Sequence, residues 1–142
     1  MIITRTPLRI SFVGGGTDIA SFYERERGAV VSTTINKYVY VILHRFFDKR
    51  IQLKYSETEI VNSVNEINHP VFREALKLTS VEDSIEISIV QDLPKEGGSG
   101  LGGSTAFSVG LINALNILTG KYLKKEELAN WATFLEIEKL GN

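Results

Sequence analysis

Apolar residues occupy every second position of Ser84-Ile85-Glu86-Ile87-Ser88-Ile89-Val90, and this alternation predicts a half-buried strand through Asp92. Farther on the period changes. Ala106 to Leu118 is apolar nearly all round, and no charged residue occurs from Gly97 to Gly120, so a buried helix is expected there, stopped by Thr119-Gly120. Upstream, Met1–Thr6 and Leu8–Val13 read as two β-prone runs broken by Pro7, which implies an edge or a kink. Gly28–Phe47 reads as two strands joined by a tight turn at Ile35-Asn36-Lys37, and Arg50–Tyr55 alternates as a further strand. Glu57–Asn68 is polar and weakly patterned, a surface segment. His69 stands at the boundary of a short amphipathic helix with Pro70 at its first position and Val71, Phe72, Ala75 and Leu76 on one face. Lys124–Leu140 is the last helix, with Leu128, Trp131, Ala132, Leu135 and Leu140 inward. Strands gather in the first half and helices in the second, with no repeat and no internal boundary, which is an α+β pattern over residues 1–142.

The junction of strand and buried helix is the chemically informative stretch. Pro94-Lys95-Glu96-Gly97-Gly98-Ser99-Gly100-Leu101-Gly102-Gly103-Ser104-Thr105-Ala106 joins them, and it is rich in glycine. A strand, a glycine loop and a helix start aim backbone N–H groups and the positive end of a helix dipole at one point, which suits a phosphate. The helix is inside, so its free N–H groups need a partner, and an anion would supply one. Ser104 and Thr105 fall in the first turn. The bland alternative is a flexible connection. The loop is not a Walker motif, because Gly103 stands where the lysine belongs, and it is not a dinucleotide fingerprint. A second cluster, Gly14-Gly15-Gly16-Thr17-Asp18, permits a sharp turn or close approach of a ligand. Its plain reading is a turn with Asp18 capping a helix over Ile19–Arg25.

Charge and composition narrow the classes. Lys+Arg number 16 against Asp+Glu 17, a net charge of −1, which demotes nucleic acid as a partner. Cysteine is absent, so there is no disulfide framework, thiolate zinc site or cysteine nucleophile. The two histidines, His44 and His69, are too far apart to form a local metal motif. The chain start lacks an apolar signal core, and Ala106–Leu118 is too short to span a bilayer. The expectation is a cytoplasmic domain with small-molecule partners and no membrane.

Two stretches resemble the motifs of one family. Gly100-Leu101-Gly102-Gly103-Ser104-Thr105-Ala106 after Pro94 is similar to the second motif of the GHMP kinases, Pro-…-Gly-Leu-Gly-Ser-Ser-x-Ala, with Gly103 in place of the first serine. Arg9-Ile10-Ser11-Phe12-Val13-Gly14-Gly15-Gly16-Thr17-Asp18 is similar to the first motif of the galactokinase branch, with Gly15-Gly16 replacing Glu-His. The Gly-Gly-Gly-Thr-Asp form is nearest the D-glycero-D-manno-heptose 7-phosphate kinase branch. The resemblance implies the ribosomal protein S5 domain 2-like fold and ATP-dependent phosphorylation of a sugar or sugar phosphate, first of all that heptose phosphate to its 1,7-bisphosphate. It implies ATP contacts from Gly97, Gly98, Ser99, Gly100, Leu101, Gly102, Gly103, Ser104 and Thr105. It places Gly16, Thr17 and Asp18 on the substrate and Arg9 beside the transferring phosphate. Ser104 and Glu136 become the ligands of Mg²⁺.

The resemblance also implies a base aspartate after the last helix and a C-terminal domain. No aspartate follows Asp92, so the expectation is a truncated N-terminal half that binds ATP without turnover. Alternatives are another GHMP sugar kinase, such as a fucokinase or galactokinase, and a nucleotide-binding module that never turns over. An RNA-binding S5-like domain would need a basic surface.

Overall fold

The computed structural model of the chain describes residues 1–93 and 100–141. Five strands form one sheet: β1 (Ile2–Val13), β2 (Val31–Arg45), β3 (Ile51–Lys54), β4 (Thr58–Val61) and β5 (Ile85–Gln91), in the order β1-β2-β5-β3-β4. β3 and β5 run parallel, and every other neighbouring pair is antiparallel. The link between the parallel strands carries β4 and helix α2 (Pro70–Thr79). With short α1 (Ala20–Tyr23), α3 (Gly103–Leu118) and α4 (Lys125–Phe134), this is the expected α+β arrangement.

The first two strands are longer than their sequence pattern reads. β1 runs through Pro7 as one strand, and Pro7 is tolerated because β1 is a sheet edge. β2 likewise runs through Ile35-Asn36-Lys37 without turning back. Its pairing slips there instead: Pro7 faces Tyr38, while Arg9 faces Thr34. Residues 35–37 therefore stand opposite Leu8 alone, as a bulge. A long partner on β1 holds both flanks of the polar triplet in the ladder, and the surplus residues are absorbed locally.

Helices cover one face of the sheet. Leu43, Ile51, Leu53, Ile85 and Ile87 point into the core, where Phe72 and Leu76 of α2 and Leu111 and Leu115 of α3 meet them, all fully buried. Alternation on the strands and the apolar stripe on each helix thus meet in one layer interface. α3 can lie close to β1 and β2 because of Gly110. The Thr4 hydroxyl donates to its carbonyl at 2.8 Å, and a Cβ there would lie 2.8 Å from Thr6 Oγ1.

The segment 57–68 departs from its polar appearance. It holds β4, a 3₁₀ turn (Val64–Glu66) and the buried Ile67. Glu59 on β4 is only 7% exposed. Its carboxylate accepts from the Tyr55 hydroxyl at 2.7 Å, the Asn68 N–H at 2.7 Å and the His69 N–H at 3.2 Å. A buried carboxylate so satisfied does the work of a cap in front of α2, whose own boundary residue His69 makes no side-chain cap bond. Burial works to raise the Glu59 carboxyl, but the Asn68 N–H, the Tyr55 hydroxyl and the His69 N–H outweigh it and hold it below its ordinary value. Burial, and then the bond to Glu59, pushes the Tyr55 hydroxyl up to about 12.

Above this carboxylate the rings of Tyr55, His69, Phe72 and Phe107 interlock edge to face and tilted, with Tyr55–His69 centroids 4.9 Å apart and Phe72–Phe107 5.0 Å apart. Phe107 belongs to the first turns of α3. The N-terminal end of α3 is thereby packed against α2 and its boundary residue His69.

Candidate functional site

The N-terminal end of α3 and the glycines before it form the centre of the site. Pro94–Ser99 lie outside the described residues, and with them the ATP contacts expected of Gly97, Gly98 and Ser99. Gly100 and Gly102 have φ of 64° and 70°, which bends the chain into the helix start. Leu101 between them packs with Leu8, Val39 and Ala106 and anchors the bend. α3 then begins at Gly103 without a side-chain cap, and Ala106 N–H makes an early helical bond to Gly102 O at 2.9 Å. The N–H groups of the first turn have no intrahelical acceptor, and Ser104 and Thr105 in that turn are exposed. Among the described residues, a Cβ at Gly103 would meet nothing within 4 Å.

Arg9 is brought directly onto this loop. Its N–H donates to Leu101 O at 3.0 Å, and a Cβ on Gly102 would lie 3.3 Å from Arg9 Cγ. Its Nη1 donates to Ser11 Oγ at 2.8 Å. Nothing in the sequence marks Ser11 by itself, although its i+2 spacing on β1 places it on the same strand face as Arg9. Asp92 is a second such residue. Its carboxylate accepts from Tyr38 N–H at 2.9 Å, and its own N–H donates to Tyr38 O at 3.0 Å, so the chain leaves the sheet from a fixed point beside the β2 bulge.

The Gly14–Asp18 turn is a separate cluster, joined to the loop through β1. Gly14 has φ of 90°, and a Cβ there would lie 1.9 Å from Ala29 O, a contact only glycine permits. The Thr17 hydroxyl donates to Gly14 O at 2.8 Å and accepts from Ala29 N–H at 3.1 Å. It therefore closes the turn from within. Asp18 does not cap a helix over Ile19–Arg25: α1 is limited to Ala20–Tyr23, and the carboxylate accepts from Gly16 N–H at 3.1 Å instead. Asp18 remains exposed, and a Cβ on Gly16 beside it would meet nothing within 4 Å among the described residues.

Glu136 reaches the site from the other side. The last helix does not run evenly to Leu140: α4 ends at Phe134 and widens into a π-helical stretch, Leu135–Lys139. Leu140 N–H reaches Leu135 O at 3.2 Å, the five-residue step of that geometry. Glu136 sits in this stretch, and its Oε2 accepts from the Thr105 hydroxyl at 3.3 Å. Its Oε1 is buried and has no hydrogen-bond partner among the described residues. The hydroxyl that the structure sets against Glu136 is thus that of Thr105, the neighbour of Ser104. Among the described residues no three carboxylate, imidazole or thiol groups converge.

Comparison with known proteins shows the family and the fold. Residues 70–142 match the GHMP kinases N terminal domain. A D-glycero-alpha-D-manno-heptose 7-phosphate kinase of Campylobacter jejuni is 34% identical, over 99% of this chain and 44% of its own length. The crystal structure of a putative sugar kinase, also from Campylobacter jejuni, superimposes with a TM-score of 0.76 at 28% identity, over 99% of this chain and 46% of that one. A D-glycero-D-manno-heptose 1-phosphate kinase from Bacteroides thetaiotaomicron shares the fold, with a TM-score of 0.85 at 23% identity, over 99% of this chain and 49% of that one. The chain belongs to the GHMP kinase family and has the fold of its N-terminal domain. It spans less than half the length of these relatives.

Proposed function

We propose that these residues form the nucleotide-binding part of an ATP-dependent sugar-phosphate kinase whose substrate is D-glycero-D-manno-heptose 7-phosphate and whose product is the 1,7-bisphosphate. The observation that carries the reading is the seating of Arg9 on Leu101 and Gly102, which joins the two motif stretches at the start of α3. The 34% identity to a heptose 7-phosphate kinase supports the choice of sugar. Phosphate oxygens would be held by N–H groups of the Gly100–Thr105 bend and by the helix dipole. Arg9 would spread the charge on the transferring group, and Asp18 would accept from sugar hydroxyls with Gly16 allowing close approach. Thr17 would serve by holding Asp18 in place, since its hydroxyl is occupied within the turn.

The donors also fit a magnesium ion. Glu136 Oε1 is a buried carboxylate oxygen with no partner among the described residues, and the Ser104 hydroxyl is exposed two residues into α3. Two hard oxygens completed by phosphate and water are the usual surroundings of Mg²⁺. The ion would supply charge neutralisation to the phosphates during transfer. By themselves, residues 1–142 would bind Mg-ATP without phosphorylating sugar, because no aspartate follows Asp92 to serve as base.

The test has two parts. The natural polypeptide carrying these residues is given Mg-ATP with the heptose 7-phosphate, galactose or fucose, and phosphorus NMR follows the product. Formation of a bisphosphate from the heptose alone is expected. Preference for galactose or fucose would move the substrate to another branch. For residues 1–142, calorimetry should detect Mg-ATP binding with no product, and phosphorylation by this chain would refute the missing-base argument.

A further inference from the structure

We propose that Thr105 is a positioning residue for the metal carboxylate: it holds one oxygen of Glu136 so that the other stays aimed at the cation. The proposal rests on the magnesium reading above and adds to it a residue that touches neither metal nor sugar. Three observations carry it. The Thr105 hydroxyl donates to Glu136 Oε2 across 31 positions of sequence. The other oxygen, Oε1, is buried and without a partner among the described residues. Glu136 rides on the π-helical stretch rather than on regular helix.

A carboxylate on the end of a three-bond side chain rotates freely unless one oxygen is tied. Tying Oε2 fixes the plane of the group, so Oε1 is presented in one orientation before any ligand arrives. A π turn inserts one residue into the helical repeat and re-aims the side chains it carries. It widens the helix at Glu136 while Leu135 on its flank stays fully buried and holds the stretch in place. Thr105 lies on α3 immediately after Ser104, so one helical turn presents both the hydroxyl that binds the cation and the hydroxyl that orients its carboxylate. The backbone of that turn is fixed by Phe107 in the aromatic cluster. Leaving a carboxylate oxygen buried and unpaired costs stability, and a cation would recover that cost on binding.

The experiment measures affinity for ATP with and without Mg²⁺ by calorimetry, and Mn²⁺ binding to the ATP complex by electron paramagnetic resonance. It uses the 142-residue chain and its Thr105→Val, Thr105→Ser and Glu136→Gln variants. Thr105→Val keeps the shape and removes the hydroxyl. It should weaken Mn²⁺ binding about tenfold to a hundredfold, the loss usual when the partner that orients a metal ligand is removed, and weaken metal-free ATP binding far less, because the Thr105 N–H offered to phosphate is kept. Thr105→Ser should restore the metal affinity. Glu136→Gln should abolish the gain that metal gives to ATP binding. If Glu136→Gln keeps that gain, the magnesium reading itself fails. If Glu136→Gln loses it while Thr105→Val matches the parent, only the positioning role is overturned. An equal loss for Thr105→Val with and without metal would also overturn it, since Thr105 would then contact phosphate.

Discussion

Replacing Glu59 by alanine tests how the structure supports the candidate site from below. The carboxylate accepts three hydrogen bonds, from Tyr55, Asn68 and His69, and two of the donors are main-chain N–H groups that have no freedom to turn elsewhere. A hydrogen bond to a charged group is worth about 1.5–3 kcal/mol, and a donor left unpaired in the interior costs about 1–3 kcal/mol. Asn68 is exposed, so water can reach its N–H and that loss is discounted. Removal of the carboxylate should therefore cost about 3–5 kcal/mol, a large share of the roughly 5–15 kcal/mol of a typical domain. Urea unfolding followed through the single tryptophan, Trp131, measures it. Glu59→Gln, which keeps the volume and one acceptor, should lose less.

The same carboxylate sets an acid limit. Its folded-state value lies below the ordinary 4.5, so the stabilisation is complete above that value and is lost as pH falls through the lowered one. The acid slope should be shallower in Glu59→Gln. A loss under about 1 kcal/mol for Glu59→Ala, against the burial and hydrogen-bond magnitudes used here, would refute the claim that this carboxylate organises the start of α2 and the ring cluster over it.

Four further outcomes are expected. Gly14→Ala places a Cβ 1.9 Å from Ala29 O at a φ of 90°, so it should cost about 2–4 kcal/mol and free the Gly14–Asp18 turn, seen as a lower melting temperature and weaker sugar-phosphate binding. Gly110→Ala drives a methyl to 2.8 Å from Thr6 Oγ1 and should cost about 1–3 kcal/mol, read by chemical denaturation. Gly103→Ser meets nothing within 4 Å among the described residues and adds a hydroxyl at the N-terminal end of α3, so on the proposed phosphate site Mg-ATP affinity should rise severalfold with stability unchanged; an unchanged dissociation constant would count against a phosphate at that position. At high pH the Tyr55 hydroxyl, raised to about 12, contributes stability that is full below its ordinary value of 10.0 and is lost as pH climbs from there, and Tyr55→Phe should unfold with a flatter alkaline profile.

Much of the frame is readable in one dimension. β5, α2 and α3 appear where alternation, the Pro70 start and the uncharged run place them, because strand and helix periodicity are properties of neighbouring residues. The glycine bend before α3 is equally local, since it depends on which residues tolerate positive φ. What the tertiary structure decided is what depends on partners distant in the chain. Ile35-Asn36-Lys37 looks like a turn and becomes a bulge because β1 pairs on both sides of it. Glu59 looks like surface and is buried because Tyr55 and the approach to α2 satisfy its charge. The Thr17 hydroxyl closes its own turn because Ala29 folds back over Gly14. Arg9 meets Gly102, and Thr105 rather than Ser104 meets Glu136, only once the sheet and α3 bring these residues together. Residue types foretell which chemistry is present, because functional groups belong to single residues; which groups touch is settled by packing, because a hydrogen bond needs two atoms within about 3 Å and sequence separation does not set that distance.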